Sequence, residues 1–189
     1  MFIDFLTLML VNMAAALVIH ALFMGKWIDK DPKKAIPGFL LTGAIALITG
    51  FRMVFTWPLP GAYNIMYGEM TVLFGGFLFM AGLAVAFGWN LLTIGIYAFF
   101  AGAVAVLLGV RILNLNLTSE PLAAAGGFAI TGATALLTLP AIAFPKLKWL
   151  RIIVALAALG SAVVWIIVGF PAYWGHIESF AKWPPGGPK

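Results

Sequence analysis

The stretch LLTIGIYAFFAGAVAVLLGV, Leu91–Val110, carries no charged side chain and only one Thr and one Tyr among its apolar residues. At ~1.5 Å rise per residue such a run crosses a hydrocarbon core of ~30 Å as a helix. Five further runs of similar length and character surround it, separated by short polar breaks. The spans read as Phe2–Met24, Ile36–Thr56, Ile65–Phe87, Leu91–Leu113, Leu122–Phe144 and Leu150–Phe170. The breaks hold turn-forming punctuation, for example Asp31-Pro32, Trp57-Pro58-Leu59-Pro60-Gly61, Gly88-Trp89-Asn90, Ser119-Glu120-Pro121 and Pro145-Lys146. The expectation is an all-α polytopic membrane protein: one domain over residues 1–189, folded as a bundle of six transmembrane helices.

Composition agrees. Hydrophobic residues make up 63% of the chain and charged residues 9%, against about 25% charged in soluble domains. The formal charge of +5 comes from basic residues scattered over short loops, with no clustered face for phosphate backbones, so nucleic acid is not an expected partner. The absence of cysteine excludes disulfides, thiolate catalysis, Cys-ligated zinc and iron–sulfur clusters. The first run lacks the basic n-region and small-residue cleavage site of a secretory signal, so it reads as a retained span. The final Pro184-Pro185-Gly186-Gly187-Pro188-Lys189 cannot be regular, and a mobile tail is expected over about 181–189.

Orientation follows from the basic residues. Lys26, Lys30, Lys33, Lys34, Lys146, Lys148 and Arg151 belong to the first, third and fifth breaks, whereas Arg52, Arg111, Lys182 and Lys189 lie on the other side. The positive-inside rule makes the Lys-rich loops cytoplasmic and puts both termini outside. Trp27, Trp89 and Trp149 fall at inner span ends and Trp57, Trp174 and Trp183 at outer ones, as expected for interfacial rings; Trp165 alone lies deep in a span, in a packing position. Small residues at helical spacing, Ala101, Ala105 and Gly109 in the fourth run and Ala157 and Ser161 in the sixth, predict close helix contacts. Gly38–Thr49 and Gly127–Thr138 also align (GFLLTGAIALIT with GFAITGATALLT), which raises a three-plus-three inverted repeat against the background recurrence of Gly, Ala, Leu and Thr.

Ionisable residues within spans point to function by default, because their burial is costly. Arg52 and Glu69 lie at equal distance from the middle of the Pro58–Pro60 turn, and Arg111 and Glu120 flank the fourth connection in the same way. Asp4, Tyr63, Tyr67, Tyr173, His176 and Glu178 fall on the same outer side. These ten residues form the candidate polar cluster. Its structural reading, charged pairs that lock helix ends, leads its functional one, an outward pocket for a small molecule, proton or lipid headgroup. His20 and His176 lie about a bilayer core apart and cannot share one haem iron. The weak metal candidates are His176, Glu178, Met66 and Met70. The last two would suit soft copper, and they are equally ordinary packing residues. No cofactor is clearly indicated, no catalytic nucleophile–base pair is present, and an enzyme is not the favoured reading.

The segments Phe51-Arg52-Met53-Val54-Phe55-Thr56-Trp57-Pro58-Leu59-Pro60-Gly61, Tyr63-Asn64-Ile65-Met66-Tyr67-Gly68-Glu69 and Tyr173-Trp174-Gly175-His176-Ile177-Glu178-Ser179-Phe180 resemble a family of small archaeal and bacterial integral membrane proteins, domain of unknown function 981. The resemblance covers nearly the whole chain. It implies the cell membrane of a prokaryote and no activity, and it draws attention to Arg52, Glu69 and His176.

The leading expectation is a non-catalytic subunit or scaffold of a membrane complex. Its partners would be the lipid bilayer and other membrane subunits or further copies of the chain. The rival is a small transporter or channel with a polar pocket around Arg52 and Glu69. A third reading is a redox subunit holding haem, copper or quinone.

Overall fold

A computed structural model describes residues 5–27 and 31–181. Asp4, Lys30, Lys182, Trp183, Lys189 and the rest of the expected tail from 182 onward lie outside the described residues. Six helices follow in order: α1 (Leu6–Gly25), α2 (Ile36–Thr56), α3 (Met70–Phe87), α4 (Leu92–Leu115), α5 (Pro121–Ala143) and α6 (Lys148–Phe180). All six are long and apolar enough to cross a membrane, and the chain is a multi-pass membrane protein. A 3₁₀ turn, Pro32–Ala35, leads into α2, and a π-helical segment, Asn64–Glu69, leads into α3.

Local chemistry sets the boundaries. The Asp31 carboxylate accepts the Lys33 N–H at 2.9 Å with Pro32 at the first helical position, so the 3₁₀ turn starts there. The Asn90 side chain accepts the Leu92 N–H at 2.8 Å and starts α4. Gly88 (φ 71) and Asn116 (φ 51) end α3 and α4 in the left-handed conformation that these residue types adopt readily. The sixth helix departs from expectation. It continues through Pro171 to Phe180, 33 residues in all, or about 50 Å, and so stands well beyond a bilayer core. Residues 171–180, expected after the span, therefore form its C-terminal end.

Consecutive helices are antiparallel neighbours, as short connections require, and α6 closes the ring against α1. Arg151 at the start of α6 meets the end of α1, and Gly169 near its other end meets Leu10. The odd-numbered helices are the inner ones. Half of the apolar stretch of α1, α3 and α5 is buried, against 33% for α2 and α4 and 39% for α6. Large side chains such as Leu41, Ile48, Phe100, Leu107 and Ile167 cover the outside, as a lipid-facing surface needs. Trp27, Trp57, Trp89, Trp149 and Trp174 are exposed at helix ends, whereas Trp165 is 4% exposed.

Small residues bring the backbones together. The buried face of α4 is Gly95, Ala98, Ala101, Gly102, Ala105 and Gly109, closed by Ile112. A Cβ on Gly102 would lie 2.6 Å from the Gly132 carbonyl oxygen, and one on Gly132 would lie 2.7 Å from that of Gly102. Only glycine permits this crossing of α4 and α5. The two aligned segments, by contrast, pack on non-equivalent neighbours. Gly43 meets the Phe79 backbone on α3, which follows α2, whereas Gly132 meets α4, which precedes α5. An inverted three-helix repeat would match α2–α3 with α5–α6, so the likeness is one of local packing rather than of place in the ring.

Candidate functional site

The interior of the ring contains two small cavities stacked along the axis. The first is lined by Met9, Leu10 and Met13 of α1, Met66 and Tyr67 of the π segment, Met70, Thr71 and Phe74 of α3, Phe128 and Thr131 of α5, and Trp165 of α6. The second lies deeper, between Met13, Ala16, Leu17 and His20 on α1, Phe74, Phe77 and Leu78 on α3, and Thr131, Thr134 and Ala135 on α5. They share Met13, Phe74 and Thr131, and each has a volume of about 30 Å³. From Met9 to His20 the pair extends along about 16 Å of α1. Each volume holds a water-sized species and falls far below the roughly 300 Å³ of an ordinary organic-ligand pocket.

Aromatic contacts flank the pair at both ends. Towards the α2–α3 connection, Tyr63 stacks on Tyr67 at 6.2 Å. Tyr67 meets Phe128 at 5.5 Å, and Phe128 meets Trp165 edge-on at 5.5 Å. The π segment places Tyr67 and Met66 inward at this end. Such segments carry one residue more per hydrogen-bonded ring and recur at functional positions. Asn64, 0% exposed, fixes the entry: it accepts the Leu59 N–H at 3.1 Å and donates to the carbonyls of Leu59 and Gly61. Towards the Lys-rich end, His20 meets Phe77 at 5.7 Å and Phe39 at 6.5 Å, and Phe39 meets Phe23 at 5.3 Å. Beyond this second layer a cavity of about 530 Å³ opens between the ends of α1 and α3, with Lys26, Trp89 and Arg151 in its wall.

Several buried polar groups of the interior are paired. Trp165 Nε1–H donates to Thr131 Oγ1 at 2.8 Å, and Thr131 Oγ1 lies 2.5 Å from Ser161 Oγ. His20 Nε2 lies 3.0 Å from Thr138 Oγ1, whose own hydroxyl reaches the Thr134 carbonyl at 2.9 Å. Asn12 Nδ2 donates to the Thr42 carbonyl at 2.9 Å. Unpaired polar groups in a bilayer interior cost several kcal/mol, which accounts for these pairings. No charged side chain lines either small cavity.

The expected outer cluster is arranged differently from a single site. Arg52 and Glu69 are both exposed, and among the described residues no ion pair joins them. Arg111 and Glu120 are likewise exposed at the ends of α4 and α5, without an ion pair between them. Tyr173 and Glu178 are exposed on α6, while His176 is half-buried and packs 6.4 Å from Phe180. His176 and Glu178, two residues apart on a helix, point to different faces and do not share a ligand site. Tyr63 and Tyr67 come together in the aromatic layer just described. Met66 and Met70 also come together, opposite Met9 and Met13 on α1, so four thioethers border one cavity. That donor type suits a soft monovalent ion such as Cu(I). Among the described residues no group of three or more His, Cys, Asp or Glu converges.

Asn12, Thr131, Thr134 and Thr138 carry no site expectation from the sequence, and Ser161 only that of a small packing residue. The threonines recur at i, i+3 and i+7, so one face of the fifth run carries them all, and that periodicity was the available signal. The sequence profile of a family described as protein of unknown function (DUF981) matches residues 1–179, and the chain belongs to that family. No curated protein and no solved structure matches it.

Proposed function

We propose that the protein is a small membrane transporter whose path runs through the interior between α1, α3 and α5. The observation that carries this reading is the stack of two cavities sharing Met13, Phe74 and Thr131, flanked by aromatic contacts, with a separate 530 Å³ opening at the Lys-rich end. The lining selects the solute. With no charged group on either cavity wall, a bare ion would forfeit its hydration without a counter-charge. The fitting solute is uncharged and close to water in size. Haem or a quinone ring does not fit either 30 Å³ space. By the positive-inside rule the Lys-rich end faces the cytoplasm of a prokaryotic cell and the termini lie on the opposite side.

Purified protein in liposomes tests this by stopped-flow light scattering with water, urea and glycerol. Flux above protein-free liposomes is expected for at least one of them, and Phe39→Ala, which removes the central ring of the inner layer, should raise it. Flux equal to empty liposomes in both proteins would refute the proposal.

A second reading, an accessory subunit of a membrane complex, draws on Arg52, Glu69, Arg111 and Glu120, which stand exposed at one end of the ring. A partner of complementary charge would meet them there. Gentle purification from the native host followed by native mass spectrometry separates the readings: a stoichiometric larger subunit favours the second, and multiples of this chain alone favour the first.

A further inference from the structure

The opening at the Lys-rich end has a chemistry unlike that of the path above it. Its wall comes from the end of α1, the 3₁₀ turn, the α3–α4 connection and the start of α6, and its volume of about 530 Å³ is that of a small-ligand pocket. The two charged residues in that wall are both cations, Lys26 and Arg151. The remainder is mainly apolar, with Phe23, Val85, Trp89 and Leu91 among it.

Arg151 is held in place, and Lys26 stands at the rim. Arg151 is half-buried; its Nε–H donates to the Met24 carbonyl at 3.0 Å and an Nη2–H to the Phe23 carbonyl at 3.5 Å. These contacts cover the carbonyl end of α1, which would otherwise repel an anion. A guanidinium has five N–H donors, so three remain for a ligand. Lys26 occupies the left-handed position that ends α1, with φ 56, where glycine is the unstrained residue. A lysine is kept there, at the lip of the pocket, despite that conformational cost.

Two cations, one of them held by backbone carbonyls, above an apolar wall at the level of a membrane interface match a phosphate joined to hydrocarbon. Basic pockets between transmembrane helices on the cytoplasmic side take anionic headgroups by this arrangement. We infer that the pocket between α1, α3 and α6 binds the phosphate of an anionic phospholipid through Lys26 and Arg151, with the lipid's apolar part against Trp89 and Leu91. This holds whether or not the interior conducts a solute.

The full chain, reconstituted in mixed phosphatidylglycerol and phosphatidylcholine and released into native mass spectrometry, gives the test. One retained phosphatidylglycerol per chain is expected. Retention should fall about fivefold in Lys26→Gln or Arg151→Gln and roughly thirtyfold in the double variant. Lys148→Gln, an exposed lysine at the same end that does not line the pocket, should retain lipid as the parent does. Lys26→Gln alters an exposed side chain and keeps the test valid if Arg151→Gln fails to fold. Equal retention of the two lipids, or retention unchanged in Lys26→Gln, overturns the proposal. Thermal stabilisation by inorganic phosphate alone, lost in Lys26→Gln and without any lipid preference, would overturn the lipid and assign the site to a free anion.

Discussion

Gly132→Ala is the smallest change that tests how the ring is held together. A Cβ at this position would sit 2.7 Å from the Gly102 carbonyl oxygen and from Val106 Cγ2, and 2.9 Å from the Val106 nitrogen. Two of these three neighbours are backbone, so a rotamer change cannot relieve the overlap. Restoring an ordinary separation of about 3.5 Å needs α4 and α5 to part by roughly 0.8 Å. Overpacking of this kind costs about 1–3 kcal/mol. Alanine returns up to about 1 kcal/mol of helix propensity, which leaves a net loss of up to about 2 kcal/mol against the parent and about 1–3 kcal/mol against a glycine-to-alanine change made in open space. Gly160→Ala isolates the propensity term, because a Cβ there meets nothing within 4 Å. Denaturation in mixed micelles followed by circular dichroism should show Gly160→Ala at or slightly above the parent stability and Gly132→Ala clearly below Gly160→Ala. Equal stability of the two variants would refute the inferred α4–α5 contact.

Asn64→Ala should cost about 1–3 kcal/mol, since it removes a fully buried amide and the partner of part-buried backbone groups at Leu59. The same denaturation assay measures it, and hydrogen exchange should rise over residues 58–61. Thr131→Val removes the partner of Trp165 Nε1–H and Ser161 Oγ; a loss of about 0.6–1.7 kcal/mol is expected, as for polar contacts between membrane helices. Arg52→Gln, Glu69→Gln and the charge-swapped double variant should each stay within about 0.5 kcal/mol of the parent, as changes at exposed sites do. A loss above 2 kcal/mol in either single variant, repaired by the swap, would instead show that the two pair.

The membrane-spanning architecture was legible because it rests on length and apolarity alone. Residues Ile36–Thr56 match α2 at both ends because Asp31-Pro32 and Trp57-Pro58 punctuate it locally. The extension of α6 was not legible, because Pro171 reads as a stop; at the membrane edge its missing N–H costs one hydrogen bond that the rest of the helix tolerates. The outer charges were misleading for a geometric reason. Equal distance from a turn sets equal depth, but each residue also turns 100° about its helix axis. Arg52 therefore faces outward while Met53 beside it is 1% exposed. The interior depends on long-range partners such as His20 and Thr138, 118 residues apart, which no local pattern pairs. Met66 and Met70 were visible as a turn-spaced pair, and what they face, Met9 and Met13, required the closed ring.

The account stands or falls on whether the enclosed interior communicates with water. The chain has no cysteine, so single thiols report directly. Thr134, 2% exposed, lines the second cavity, whereas Ala155, 0% exposed, lines neither. In reconstituted protein, Thr134→Cys should react with methyl methanethiosulfonate, a small uncharged reagent, added to the aqueous phase, as the path opens transiently, while Ala155→Cys remains unmodified. A Thr134→Cys thiol as inert as that of Ala155→Cys would contradict the proposed path.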